Sequence, residues 1–132
     1  MIKRLIPGDI HPPLARYAHA TVVPAGAQWL VLSGQLGIAP DGTIPPDVES
    51  QTAICFENIL AILRDASMDV SDLVRLTAYL TDEADLAAYM QVRDRFVADP
   101  PPASTLLVVQ SFSKKQFKVE IEAIAAKVAS DA

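Results

Sequence analysis

The sequence predicts an α/β subunit: a mixed sheet of about six strands with two helices over one face. Two observations carry that prediction. Apolar patterns along the 132 residues come in the order three strands, helix, strand, helix, two strands, and strand–helix–strand units require some parallel pairing. The last strand, Phe117 to Lys127, sets Phe117, Val119, Ile121, Ala123 and Ala125 on one face and Lys118, Glu120 and Glu122 on the other, which is the alternation of a half-buried strand. Two helices cover only one face of such a sheet. The other face still carries apolar side chains, which predicts self-association.

The elements read in order as follows. Met1 to Ile6 is a short strand stopped by Pro7-Gly8, and Pro12-Pro13 rules out regular structure just after it, because each proline removes a backbone donor. Tyr17 to Val23 alternates weakly and ends at Pro24-Ala25-Gly26. Trp29 to Ile38 is a strong strand interrupted by Ser33-Gly34; a glycine inside a strand marks a bulge or a close approach to the backbone. A helix from about Asp47 to Ser67 carries Phe56, Ile59, Leu60 and Leu63 at the spacing of one buried face. Leu73 to Leu80 is the next core strand. Thr81-Asp82 opens a second helix to about Val97, with Leu86, Tyr89, Val92 and Phe96 as its stripe, ended by Pro100-Pro101-Pro102. Ser104 to Gln110 (STLLVVQ) is apolar on both faces, as in a strand covered twice. A turn near Ser113 to Gln116 then joins it to the last strand.

Residues 1–132 make one domain, long enough for a single core. The composition, 51% hydrophobic and 20% charged, is globular. A net charge of -5 argues against nucleic acid as the main partner, since phosphate binding rests on Lys and Arg. Lys114, Lys115 and Lys118 read as a solvated turn. One cysteine, Cys55, forbids an internal disulfide and, with no signal-like start, fits a reducing cytoplasm. No apolar run is long enough to span a bilayer.

No dinucleotide-binding, phosphate-loop or metal-ligand motif is present. His11 and His19 lack a third metal ligand. His19 reads as an ordinary polar strand residue or as a cleft lining. Cys55, within the first helix, reads as a small buried hydrophobe. Glu120 and Glu122 read either as a solvated face with Lys118 or as acid–base groups with raised pKa at a subunit seam.

Several collinear segments resemble one family. VEIEAIA at 119–125 after a Pro-Ala and a TLLVV strand, Tyr17 before Ala18-His19, SGQLGIAPDG at 33–42, the helix around Phe56-Glu57-Asn58-Ile59-Leu60, and VRLTAYLTD at 74–82 resemble the signatures of the RidA family (reactive intermediate deaminases, also called YjgF or L-PSP). The resemblance runs through essentially the whole chain. It implies a chorismate-mutase-like fold and a homotrimer with clefts between subunits. It also implies hydrolysis of enamines or imines to a carbonyl compound and ammonia, with no metal or organic cofactor. Carried over residue by residue, the water-positioning glutamate falls on Glu120, the early tyrosine on Tyr17 and the backbone-approach glycine on Gly34. The family's substrate-holding arginine does not carry over: Pro102-Ala103 is followed by Ser104. A serine cannot make the bidentate charged pair an arginine makes with a carboxylate, a loss on the order of 100-fold in rate or affinity. Met90 and Leu106 also depart from the pattern, at places where members carry asparagine and cysteine. Arg16, just before Tyr17, is expected to supply the missing charge, against the plainer reading of a loop arginine. Ser104 and Thr105 would shape the pocket for a different ligand. Beside deamination, the same cleft reads as a metabolite-binding site without turnover; RNA cleavage, reported for some relatives, is disfavoured by the acidic charge.

Overall fold

The computed structural model describes residues 1–129. Its strands are β1 (Lys3–Leu5), β2 (Ala20–Val22), β3 (Ala27–Leu36), β4 (Leu73–Leu80), β5 (Ala103–Val108) and β6 (Val119–Val128), and its helices are α1 (Val48–Asp65) and α2 (Leu86–Phe96). The order of elements is the one the sequence predicts, but the six strands do not share a sheet. β3, β6, β4 and β5 form a four-stranded sheet in that order, while β1 and β2 pair as a separate antiparallel ribbon. The reason is local. Flanking prolines and turns leave β1 and β2 three residues each, and both edges of β4 are already taken by β5 and β6. The ribbon is instead held to β4 by a side chain, the Thr21 hydroxyl donating to the Val74 carbonyl at 3.0 Å.

β6 runs antiparallel to both β3 and β4, and β4 runs parallel to β5. Helix α2 is the crossover that the parallel pair needs. The segment between β5 and β6 is therefore no hairpin. It passes over the end of β4, where the Val109 amide donates to the Leu80 carbonyl at 2.7 Å.

Both helices lie on one face. Val119, Ile121, Ala123 and Ala125 of β6 and Leu76, Ala78 and Leu80 of β4 pack against Cys55, Phe56, Ile59 and Leu63 of α1 and Tyr89 of α2. Each large apolar side chain buried there contributes roughly 1.5–3 kcal/mol. Phe56 and Phe96 stack at 5.2 Å and tie the helices together. Asp47 caps α1 by accepting from the Ser50 amide, so the helix starts at Val48, just after the Asp47 at which the sequence places it. Asp82 caps a separate 3₁₀ turn, Glu83–Asp85, which delays α2.

One side chain bolts α1 to the strand that follows much later. Gln51 is fully buried. Its Nε2 donates to the carbonyls of Pro45 and Gln116, both at 2.8 Å, and its Oε1 accepts from the Lys118 amide at 2.8 Å. Gly37 lies directly against it: a Cβ there would stand 2.4 Å from Gln51 Cβ.

Among the described residues, no helix covers the opposite face. Register places Trp29 and Val31 of β3, Arg75, Thr77 and Tyr79 of β4, Thr105 and Leu107 of β5, and Glu120, Glu122 and Ile124 of β6 together on it. Val31 is 73% exposed, Trp29 56% and Leu107 51%. A central strand thus presents its polar residues, and an edge strand its apolar ones, to an uncovered surface.

Candidate functional site

The sheet register slips between Leu32 and Gln35, so Ser33-Gly34 forms a bulge in β3. Into that bulge comes the side chain of Glu120, from the neighbouring strand. A Cβ on Gly34 would lie 2.1 Å from Glu120 Oε2 and 2.8 Å from its Cδ. Only a residue without a side chain leaves this carboxylate its seat. The Glu120 pKa is raised, first by loss of hydration and then by the Glu122 carboxylate, two residues along the same face. Folding therefore favours the neutral acid. Its stabilising contribution is present below the unfolded pKa and is lost as pH rises through the folded one; at neutral pH the ionised group is held against its preference.

Glu122 is differently placed. The Tyr79 hydroxyl donates to its Oε1 at 2.5 Å, and this bond, more than desolvation, pushes the Tyr79 pKa up. Arg75 donates through Nε to the Thr77 hydroxyl at 3.2 Å and through Nη2 to the Thr105 hydroxyl at 2.7 Å. Arg75, Thr77 and Glu122 line an open cavity of about 220 Å³ with Val31 and Ile124 on its apolar side. Below the bulge, on the helix side, the Cys55 thiol donates to the Gln35 carbonyl at 3.3 Å. Burial, then the nearby Glu120 charge, pushes its pKa up to about 12, so it stays a thiol and is no nucleophile.

The other residues singled out from sequence lie apart from this corner. Ala18 bridges in parallel to Ala103, and its amide donates to the Pro102 carbonyl at 2.9 Å, which sets the 15–19 segment beside the start of β5. The Tyr17 hydroxyl accepts from the Leu14 amide at 3.2 Å, and its ring meets His19 edge-on at 6.1 Å. His19 donates to the His11 carbonyl at 2.7 Å. Arg16 donates to the Asp94 carbonyl at 3.4 Å, in the last turn of α2, where a cation is favoured by the helix dipole. Ser104 pairs with Leu76, and Leu106 with Ala78, so both lie on the helix side of β5; Leu106 and Met90 pack against the core. Thr105 alone of the β5 candidates reaches the helix-free face, through Arg75. Among the described residues, no three His, Cys, Asp or Glu side chains converge as metal ligands.

Sequence reasoning passed over Arg75, Tyr79 and Gln51. For the first two a signal was available: VRLTAYL alternates, and puts Arg75, Thr77 and Tyr79 on the face opposite the leucines.

A four-stranded sheet backed by two helices, with a bulged glycine seating a partly desolvated carboxylate, defines a small α/β domain with a candidate site at its sheet surface. A family model described as Endoribonuclease L-PSP matches residues 9–127. The chain belongs to that family, in which the Rid proteins are its structural neighbours. TdcF of Escherichia coli K12, whose name marks it provisionally as a reactive intermediate deaminase, is 37% identical over 102 residues, covering 74% of this chain and 78% of TdcF. Protein DfrA of Myxococcus xanthus is 34% identical over 128 residues, covering 95% and 96%. The crystal structure of a Rid-family protein of unknown function, YyfB of Yersinia pestis, superposes with a TM-score of 0.86 at 26% identity, covering 96% of this chain and 98% of that one. The structure of Escherichia coli TdcF with bound serine has a TM-score of 0.71 at 32% identity, each chain covered to 92%. Among the described residues, no helix is long and apolar enough to cross a membrane.

Proposed function

We propose that this chain is a cytoplasmic, trimeric Rid-family protein whose cleft, between subunits, hydrolyses small imines or enamines to a carbonyl compound and ammonia without a cofactor. The observation that carries the reading is Glu120 seated in the Gly34 bulge with its pKa raised. A water adds to the C=N carbon while the Glu120 carboxylate takes its proton. The carboxylic acid so formed returns that proton to nitrogen, giving a carbinolamine; the carboxylate then takes the carbinolamine hydroxyl proton and passes it to nitrogen as the C=O bond forms, the C–N bond breaks and ammonia leaves. A carboxylate of raised pKa is a stronger base than an ordinary one, and its acid form stays accessible nearer neutral pH. The name of the TdcF relative supports the reaction class, and its structure with bound serine supports a ligand of amino-acid size. In this reading Tyr17, Arg16, Ser104 and Thr105 belong to the cleft as completed by a neighbouring subunit.

The trimer is proposed from the helix-free face, where Trp29, Val31 and Leu107 stand exposed. Val31→Glu is expected to convert trimer to monomer in sedimentation velocity with the subunit fold retained, because Val31 has little packing to lose within its own chain. A Val31→Glu protein that remains trimeric removes this face from the interface.

A second reading, metabolite binding without turnover, is favoured by Ser104 at the place of the deaminases' arginine. Hydrolysis of 2-aminoacrylate and related imino acids, measured beside a Ser104→Arg variant, separates the two. Slow turnover by the native chain and a gain of roughly 10–100-fold in the variant are expected. Ligand binding with no turnover in either protein leaves the binding module. The acidic chain is expected to leave single-stranded RNA uncut at low and high salt.

A further inference from the structure

We propose that Tyr79 is a positioning residue for the Glu120 base: through its hydroxyl it holds the Glu122 carboxylate beside Glu120 and away from Arg75. The proposal deepens the reading of Glu120 as the base of imine hydrolysis and rests on it. Two neighbouring strands build the arrangement. On β6 the two glutamates stand two residues apart on one face, with about 6.5–7 Å between their Cα atoms. On β4, Tyr79 pairs in register with Glu120 and Thr77 with Glu122. The Tyr79 hydroxyl nevertheless donates to Glu122 Oε1, at 2.5 Å, the diagonal reach that an aromatic ring has across a strand pair. Tyr79 is thus the backbone neighbour of one carboxylate and the hydrogen-bond partner of the other.

Arg75 is the cation that could take this carboxylate instead. Its Nε and Nη2 go to the hydroxyls of Thr77 and Thr105, and the ion pair among the described residues is Arg93–Asp94. Glu122 therefore keeps a charge that no cation pairs with, two residues from Glu120. Carboxylates placed this close in different surroundings take different roles. Glu122 accepts from Tyr79. Glu120 has no donor on its carboxylate among the described residues, so the shared proton goes to Glu120. The raised Glu120 pKa, with Glu122 as its second cause after desolvation, agrees with this placement. The other groups around Glu120 do not supply the effect. Ser33, Gly34 and Leu36 of β3 carry no charge. The Cys55 thiol of α1 stays protonated, and the Lys118 charge acts on Asp47 at the start of α1. Groups that a neighbouring subunit brings to this face act on the native chain and on a variant alike, so the difference between the two reports Tyr79.

A carbon-13 titration of the glutamate carboxyl groups in the full chain tests it, with the Glu120 signal assigned by its loss in Glu120→Gln and oligomeric state followed in parallel. Tyr79→Phe and Glu122→Gln are each expected to move the Glu120 midpoint to lower pH, toward the ordinary carboxylate value. The double variant is expected to move it no further than Glu122→Gln alone, because Tyr79 acts through Glu122. The acid limb of kcat/KM for imine hydrolysis is expected to move the same way. At one pH unit below the native midpoint, the fraction of plateau activity should rise roughly two- to threefold in Tyr79→Phe. A Glu120 midpoint that Tyr79→Phe leaves in place overturns the proposal. So does a shift that returns in full when Tyr79→Phe is added to Glu122→Gln, since Tyr79 would then act on Glu120 directly. Loss of rate at every pH with no shift makes Tyr79 a structural residue, and dissociation of the subunits makes it an interface residue; either result overturns the proposal equally. A midpoint that moves as expected in a chain without turnover upholds the role of Tyr79 and overturns the hydrolysis reading alone.

Discussion

Gln51→Leu is expected to lower the unfolding free energy by roughly 3–5 kcal/mol. The replacement has similar size and more apolar surface, so packing alone would predict little change. The loss comes from what Gln51 satisfies. The carbonyls of Pro45 and Gln116 and the amide of Lys118 all turn inward to this one side chain, in a place with no exposure. Leucine leaves three backbone groups without their partner. Each made bond contributes about 1 kcal/mol net, and each orphaned buried group loses roughly 1–3 kcal/mol. Against a total stability of about 5–15 kcal/mol for a domain, that is a large fraction. Urea unfolding at fixed protomer concentration is the measurement, with the midpoint shifted and the slope unchanged. A shift worth less than about 1 kcal/mol would mean that water enters and takes over the three bonds.

That residue also shows where the sequence stops being legible. α1, β4 and β6 announce themselves because each is long and periodic: seven or more residues repeat one spacing, and one buried face is enough to set it. Gly34 is legible too, since a glycine that interrupts a strand asks for a close neighbour, and the bulge and the Glu120 carboxylate are what it meets. Gln51 gives no such sign. Two of its three partners lie 65 and 67 residues away, and a glutamine in the first turns of a helix looks like any solvated residue. The sheet count fails for a related reason. Strand signals say that β1 and β2 exist, but not that β6 will fill the place between β3 and β4 and leave no free edge on β4 for the ribbon. Arg16 drew attention by its neighbour in sequence, yet its guanidinium goes to the end of α2; Arg75, unremarked inside an apolar strand, lines one cavity with Glu122 on the open sheet. Pairing across strands decides which charges meet, and pairing is not written locally.

Glu120→Gln is expected to reduce imine hydrolysis by roughly 100-fold or more, the range for a positioned general base, and to leave the chain at least as stable at neutral pH. The second half follows from the sign of the shift. The Glu120 pKa is raised, by desolvation first and by Glu122 second, so folding disfavours its charge, and the neutral amide removes that penalty. As pH falls through the raised folded pKa toward the ordinary carboxylate value, the native acid becomes neutral as well and the difference in stability closes. Gly34→Ala supplies the independent check. Its new Cβ would collide with Glu120 Oε2 at 2.1 Å, Cδ at 2.8 Å and Cγ at 3.0 Å, all on the far part of a flexible side chain. The carboxylate can swing away while the sheet stays intact. Turnover should therefore fall nearly as far as in Glu120→Gln, with only a small change in the unfolding midpoint. Combining the two should lose little more than either alone, because both remove the same group from the same seat. Full turnover in Gly34→Ala would place the base elsewhere; an additive loss in the double variant would mean that Gly34 serves the ligand directly, through its own backbone, and not through Glu120.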